Sequence, residues 1–253
     1  VSEVVELEAR EGVATIALNR PEKLNAIDDA MLTALRDAIA RIARDPAIGA
    51  AVLHGHGRAF SAGGDIAAMS DMDETAFAQT IGLYMEVAKN FLACAKPIVA
   101  AIHGHALAGG FELACLCDIR IAAEGARFGL PDAPLGLSPT SGMTYLLPRM
   151  VGLGRALDLT LSAEPIDARE ALRIGLVTRV VDHAALLDVA YALAVRIASF
   201  PRIGVAHSKR GIYGALEASF AKATAAERDG VAACFRDPMT RERLRAFLDR
   251  RRR

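Results

Sequence analysis

Residues 97–123 read PIVAAIHGHALAGGFELACLCDIRIAA, and this run decides the class of fold. Ile98–Ile102 is a short apolar run of the kind that a strand buried on both faces leaves in a sequence. A loop carrying glycines, from His103 to Gly110, follows it. A helix opens at the glycine pair with Glu112 in its first turn, and Ile119–Ala122 is a second apolar run of strand length. Strand, helix and strand in close succession predict parallel pairing, and so an α/β protein.

The alternation continues in both directions. Val13–Leu18 is strand-like and stops at Asn19-Arg20-Pro21, a turn signal. Asp28 or Asp29 can cap a helix whose stripe is Leu32, Leu35, Ile39 and Ile42, ending before Pro46. Ala50–His54 is a buried-type strand that leads into the loop HGRAFSAGGD. A long helix is predicted from Glu74 to Cys94, broken by Lys96-Pro97, and Leu176–Val181 reads as a last strand. From Asp182 onward the pattern is nearly all helix: Ala184–Ser199, Pro201–Arg210, Leu216–Phe235 and Pro238–Leu248. The change falls near residues 195–200, with Pro201 as punctuation, and divides the chain into a core, 1–197, and a helical region, 198–253.

With 253 residues, 53% of them apolar and 24% charged, the chain can bury a large core and is not disordered. Thirty basic residues balance thirty acidic ones, so no global charge draws it to nucleic acid or to anionic lipid. Arginines gather between Arg241 and Arg253, interleaved with Leu244, Phe247 and Leu248, as on a solvated last helix with a frayed tail. No apolar run approaches the ~20 residues that a membrane span needs. The acidic, β-like N-terminus VSEVVELEAREG carries no signal-peptide pattern, and the four cysteines suggest no disulfide framework. These features predict a cytoplasmic protein with no membrane or nucleic-acid partner.

Two loops offer chemistry. Phe60-Ser61-Ala62-Gly63-Gly64-Asp65-Ile66 and His103–Gly110 each follow a strand and present side-chain-poor backbone that a ligand can approach. The second opens a helix, so free N–H groups around Gly109 can face an anion or a developing oxyanion. An amide from each loop, aimed at one point, would hold a carbonyl oxygen that gains charge. Glu112 has apolar helix neighbours, among which an idle carboxylate is expensive to bury. Asp132 sits in Gly129-Leu130-Pro131-Asp132-Ala133-Pro134, where a turn role alone would be ordinary. Two other readings are weak. Gly55-His56-Gly57 lacks the third glycine of a dinucleotide loop, with Phe60 in its place. Cys115 and Cys117, two apart on a helix, point ~200° away from each other and cannot converge on zinc with His103 and His105. No metal is therefore expected.

The segments GHALAGGFELACLCDIRIA, FSAGGDI, NRPEKLNAID and RALDLTLSAEPIDAREALRIGLVTRVV together resemble the enoyl-CoA hydratase/isomerase family, also called the crotonase superfamily, over essentially the whole chain. The resemblance implies a crotonase-like spiral core of repeated ββα units, followed by a C-terminal helical region that supports trimers, often paired into hexamers. It implies an acyl-CoA thioester substrate, coenzyme A being part of that substrate and no separate cofactor being needed. By position, Gly64 and Gly109 fall on the oxyanion-hole donors, and Glu112 and Asp132 on the two catalytic acids of the hydratases. Lys23, Leu24, Ala62, Asp65 and Ile66 fall where the family lines its CoA site. The segment Met69–Met72 and the helix Phe77–Phe91, with Tyr84 and Met85, fall where relatives line an acyl pocket, though core or interface packing would account for them at least as well.

The chain departs from the hydratase pattern in three places. Asp132 replaces glutamate and withdraws the acid by one methylene, ~1.5 Å of reach. Thr140 stands where hydratases usually carry a glycine that contacts water, and Ala67 lacks the lysine of many relatives. Both acids being present, hydration of a 2-enoyl-CoA is the expected reaction. Double-bond isomerisation, which needs only one acid, is the nearest alternative, ahead of other acyl-CoA chemistry or an inactive CoA-binding scaffold.

Overall fold

The computed structural model describes residues 4–251. The expected frayed tail at 252–253 and the first three residues of the N-terminus lie outside them. Strand β1 (Val5–Arg10) folds back antiparallel on β2 (Val13–Leu18), Leu7 facing Ile16. Helix α1 (Asp29–Arg44) carries the chain to β3 (Ala50–Gly55), parallel to β2. Helices α2 (Ile66–Ser70) and α3 (Glu74–Ala93) precede β4 (Ile98–Ile102), parallel to β3. Then come β5 (His105–Leu107), α4 (Gly109–Leu116) and β6 (Ile119–Ala123), the last parallel to β4. They are followed by β7 (Arg127–Gly129), α5 (Met143–Val151), α6 (Leu153–Leu161), β8 (Ile166–Asp167) and α7 (Ala168–Arg173). β9 (Arg179–Val181) closes the long sheet beside β6. Four helices complete the chain: α8 (Leu186–Ala198), α9 (Arg202–Ala215), α10 (Phe220–Arg236) and α11 (Pro238–Arg251).

The long sheet runs β1-β2-β3-β4-β6-β9 and a short one runs β5-β7-β8. Beyond β1, strands join the long sheet in chain order, so there is no reversal of direction at which a doubly wound fold would bind its ligand. The chain instead winds forward in coils. Each coil places one strand in the long sheet and a short one beside it, as β4 with β5 and β6 with β7. Ser61, after β3, completes the series through a parallel bridge to Ala106 of β5. The fold is thus α/β with repeated ββα coils and a helical C-terminal region.

Burial explains the apolar strands. Ala51, Leu53, Ile98, Ala100 and Ile102 point into the larger core with α1 and α3. Their neighbours Ala50, Val52, Val99 and Ala101 point to the opposite face, which Leu186, Ala190 and Ala194 of α8 cover. On α1, Leu32, Leu35, Ile39 and Ile42 are all buried, worth about 1.5–3 kcal/mol each. Asp28, not Asp29, caps this helix, accepting from the Met31 amide at 2.9 Å.

Some boundaries differ from the sequence reading. The strand expected over Leu176–Val181 is confined to Arg179–Val181, because the amides of Leu176 and Val177 both turn back to the Ala171 carbonyl at the end of α7. The two side chains are core residues all the same. Helix α9 extends past Arg210 to Ala215, and α10 starts at Phe220, capped by Ser219, rather than at Leu216. α9 is pinned to the core by the buried pair Lys209–Asp118 at 2.8 Å, with the Tyr213 hydroxyl donating to the other Asp118 oxygen at 3.1 Å. Among the described residues, no single helix is long and apolar enough to cross a membrane.

Candidate active site

The two glycine loops belong to successive coils and interlock. Ser61 donates its amide to His105 and accepts from the Leu107 amide, at 2.9 and 3.1 Å. Gly63 adopts φ +99, and a Cβ there would lie 2.7 Å from the Leu107 carbonyl and 3.2 Å from the Gly109 nitrogen. Only glycine meets both demands. Gly110 packs so closely on Ser61 that a methyl group would collide with its carbonyl oxygen. The bonds flanking Gly64 use the Gly63 carbonyl and the Asp65 amide, which leaves the Gly64 N–H outside that ladder. Gly109 is the first residue of α4, where an N–H has no partner within the helix. The residue before it, Ala108, takes φ 45 and ψ −123, an uncommon conformation for alanine that turns the strand into the helix.

Both glycines line a cavity of about 140 Å³, together with Glu112, Asp132 and Thr140. Glu112 is only 2% exposed. Its Oε1 accepts from the Thr140 amide at 2.5 Å, and its Oε2 from the hydroxyls of Thr140 and Ser141 at 2.7 and 2.9 Å. Burial pushes the carboxyl above its usual range, the three donors oppose the shift, and the charge of Asp132 adds to it. Asp132 precedes a short 3-10 turn, Ala133–Leu135, and its carbonyl accepts from the Leu135 and Leu137 amides. Its Oδ2 is buried with no hydrogen-bond partner among the described residues, and burial raises this carboxyl too. Two carboxyls with different neighbours thus line one space: Glu112, held by three donors, and Asp132, with one oxygen that no described residue pairs.

The remaining walls are apolar. Met69, Phe77 and Ile81 approach from α2 and α3, and Leu135 and Leu137 from the loop after Asp132. Tyr84 also lines the cavity, whereas Met85 is exposed. Of the positions that the family resemblance assigns to CoA, Ala62 and Ile66 lie on this cavity. Ile66 is 52% exposed, at the rim. The Leu24 carbonyl accepts from the Ala62 amide at 2.9 Å, so Leu24 braces that loop. Asp65 turns inward: its Oδ2 meets Arg20 and Lys23, each at 3.0 Å, and its Oδ1 caps α2 at Ala68. The hydrogen bond from Lys23 is the largest cause of its lowered pKa. Its carboxylate therefore clamps the loop, and Lys23, half exposed, is the cation of this group that reaches solvent. Cys115 and Cys117 pack in the core. The sequence reading named the acids and the glycines but not the hydroxyls of Thr140 and Ser141 on Glu112, nor the bend at Ala108. An alanine and a pair of hydroxyl residues in a loop carry no signal of their own.

The profile of the family described as "Enoyl-CoA hydratase/isomerase" matches residues 8–253. The "Crotonyl-CoA hydratase" of Syntrophomonas wolfei is 38% identical over 246 residues, which cover 97% of this chain and 95% of that protein. The "Short-chain-enoyl-CoA hydratase" of Clostridium acetobutylicum is 37% identical over 246 residues, 97% of this chain and 94% of its own. The crystal structure of enoyl-CoA hydratase from Bacillus anthracis superposes with a TM-score of 0.95 at 31% identity, covering 98% of this chain and 96% of that one.

Proposed function

Because the chain belongs to the enoyl-CoA hydratase/isomerase family, we propose that it is a hydro-lyase that adds water across the 2,3 double bond of an enoyl-CoA thioester. The observation that carries the reading is the pair of carboxyls, Glu112 and Asp132, lining one small, largely apolar cavity that Gly64 and Gly109 line as well. In this mechanism the N–H groups of Gly64 and Gly109 hold the thioester oxygen. They stabilise it as charge moves there from the attacked double bond. Glu112, whose ionised form three donors stabilise against burial, takes a proton from water as the water oxygen bonds to C3. Asp132 delivers a proton to C2 as the enolate collapses. Proton return from Glu112 to Asp132 through solvent closes the cycle. Water is the only co-reactant, so the steps balance without a separate cofactor. Ala62 and Ile66 border the acyl entry, and Lys23 offers a positive charge for the CoA phosphates.

Glu112→Gln and Asp132→Asn should each cut the hydration rate of crotonyl-CoA by about 10²–10⁴-fold, the usual worth of a positioned acid or base. Loss of enoyl absorbance follows the reaction, and full activity in both variants would discard the assignment. Isomerisation is the second reading, favoured by one observation: Thr140 and Ser141 engage Glu112 through three hydrogen bonds, while Asp132 has an oxygen that no described residue pairs. Under that reading, 3-enoyl-CoA would gain conjugated absorbance and Glu112→Gln would leave the rate intact.

The same reading makes the protein a homo-oligomer, a trimer or a pair of trimers, working in the cytoplasm on acyl-CoA. Phe220, Val231 and Phe235 on α10 are 84%, 69% and 61% exposed, a large apolar display for a helix that faces water. A monomeric mass by light scattering would overturn the assembly without touching the chemistry.

A further inference from the structure

The geometry points to Tyr84 as a third hydrogen-bond donor to the substrate's thioester oxygen, supplied by a side chain beside the two backbone amides. The inference rests on reading the cavity as an acyl-thioester site. Tyr84 lies on the buried face of α3 and is 6% exposed. Its hydroxyl lies 3.0 Å from where a Cβ on Gly109 would sit and 3.4 Å from where one on Gly64 would sit. One oxygen atom therefore occupies the space that a side chain would take at both glycines whose amides are the candidate donors. Larger residues at either position would push it away.

Among the described residues, no group accepts from or donates to this hydroxyl, and Tyr84 lines the cavity. A buried phenol usually finds a partner, because leaving one unmade costs about 1–3 kcal/mol. Here the open direction is the space between the glycines and the acids. Burial and the charges of Glu112 and Asp132 hold the phenol well above its ordinary pKa, so it stays a donor across the working range. The same neighbourhood would repel a phenolate but welcomes an O–H aimed at an oxygen that gains negative charge.

A donor whose bond tightens only as charge develops affects kcat more than KM. Tyr84→Phe keeps the ring that fills the pocket and removes only the oxygen. The expected result is a kcat for crotonyl-CoA lowered by about tenfold with KM within about twofold of the unaltered protein, less than loss of a lone oxyanion donor because two amides remain. A second readout does not depend on turnover: the carbonyl stretch of bound butyryl-CoA labelled with carbon-13 at the thioester carbon. Butyryl-CoA has no double bond to hydrate. Binding to the unaltered protein should lower that frequency, and Tyr84→Phe should reverse part of the shift. An equal shift and an equal kcat in the variant would overturn the role of Tyr84 while leaving the acyl-CoA site standing. Failure of the unaltered protein to bind butyryl-CoA at all would overturn both.

Discussion

The side chain that most distinguishes this site is Thr140. Its amide and hydroxyl both bond to Glu112, one to each carboxylate oxygen. Hydrogen bonds to the charged form favour it, so they counter the burial that raises Glu112. Thr140→Val keeps the shape and deletes one donor. The Glu112 pKa should then rise, and if Glu112 is the base, as proposed, it must be ionised, so the acid limb of the kcat/KM profile should move to higher pH. Thr140→Ser should hold the limb in place. A Val variant with an unmoved limb would mean that the hydroxyl does not tune the acid. At this scale the sequence was half legible. Glu112 declared itself as a carboxylate among apolar helix neighbours, and Asp132 by its place in the family pattern. Thr140 stood out only as a departure from the family pattern, and Ser141 and Ala108 not at all, because their importance lies in how a loop and a bend fall in space.

At the scale of elements, the contact between Ser61 and Gly110 joins one coil to the next. Gly110→Ala drives a methyl group into the Ser61 carbonyl oxygen, backbone that cannot turn aside. Overpacking of this kind costs about 1–3 kcal/mol. The variant should melt earlier and lose activity together, whereas Gly125→Ala, with open space around it, should do neither. Calorimetry beside an activity assay checks both. Helix α9 depends on a different device. Lys209→Met strips the cation from Asp118, a carboxylate whose side chain is 14% exposed, and should destabilise the fold by about 3–5 kcal/mol in urea titrations. Asp118→Asn in the same chain should recover part of the loss. The long strands and most long helices were readable from apolar runs and helical stripes. The short sheet was not: β5 and β7 have three residues and β8 two, too few for any period to show. Leu176 and Val177 misled because an apolar pair in the core looks the same whether its backbone is extended or closing a helix.

Over the whole molecule, the strand order follows the chain order after β1, so each coil rests on the one before it. The alternation of strands and helices announced an α/β protein, but the winding needed either the family resemblance or the structure. Periodicity tells which residues are buried and not which strand lies beside which. The winding also explains why the cavity sits where it does. The glycine loops of two neighbouring coils meet because Ser61 bridges to Ala106 and Gly63 nests against Gly109. On the proposed reading the main chain itself furnishes the grip on a carbonyl, and no exchange of one side chain for another can remove an N–H short of introducing proline. Across the gap, the acids, the threonine and the apolar walls are all free to be replaced. A lineage descended from this coil can keep hold of the same thioester while rewriting what happens to the carbons next to it.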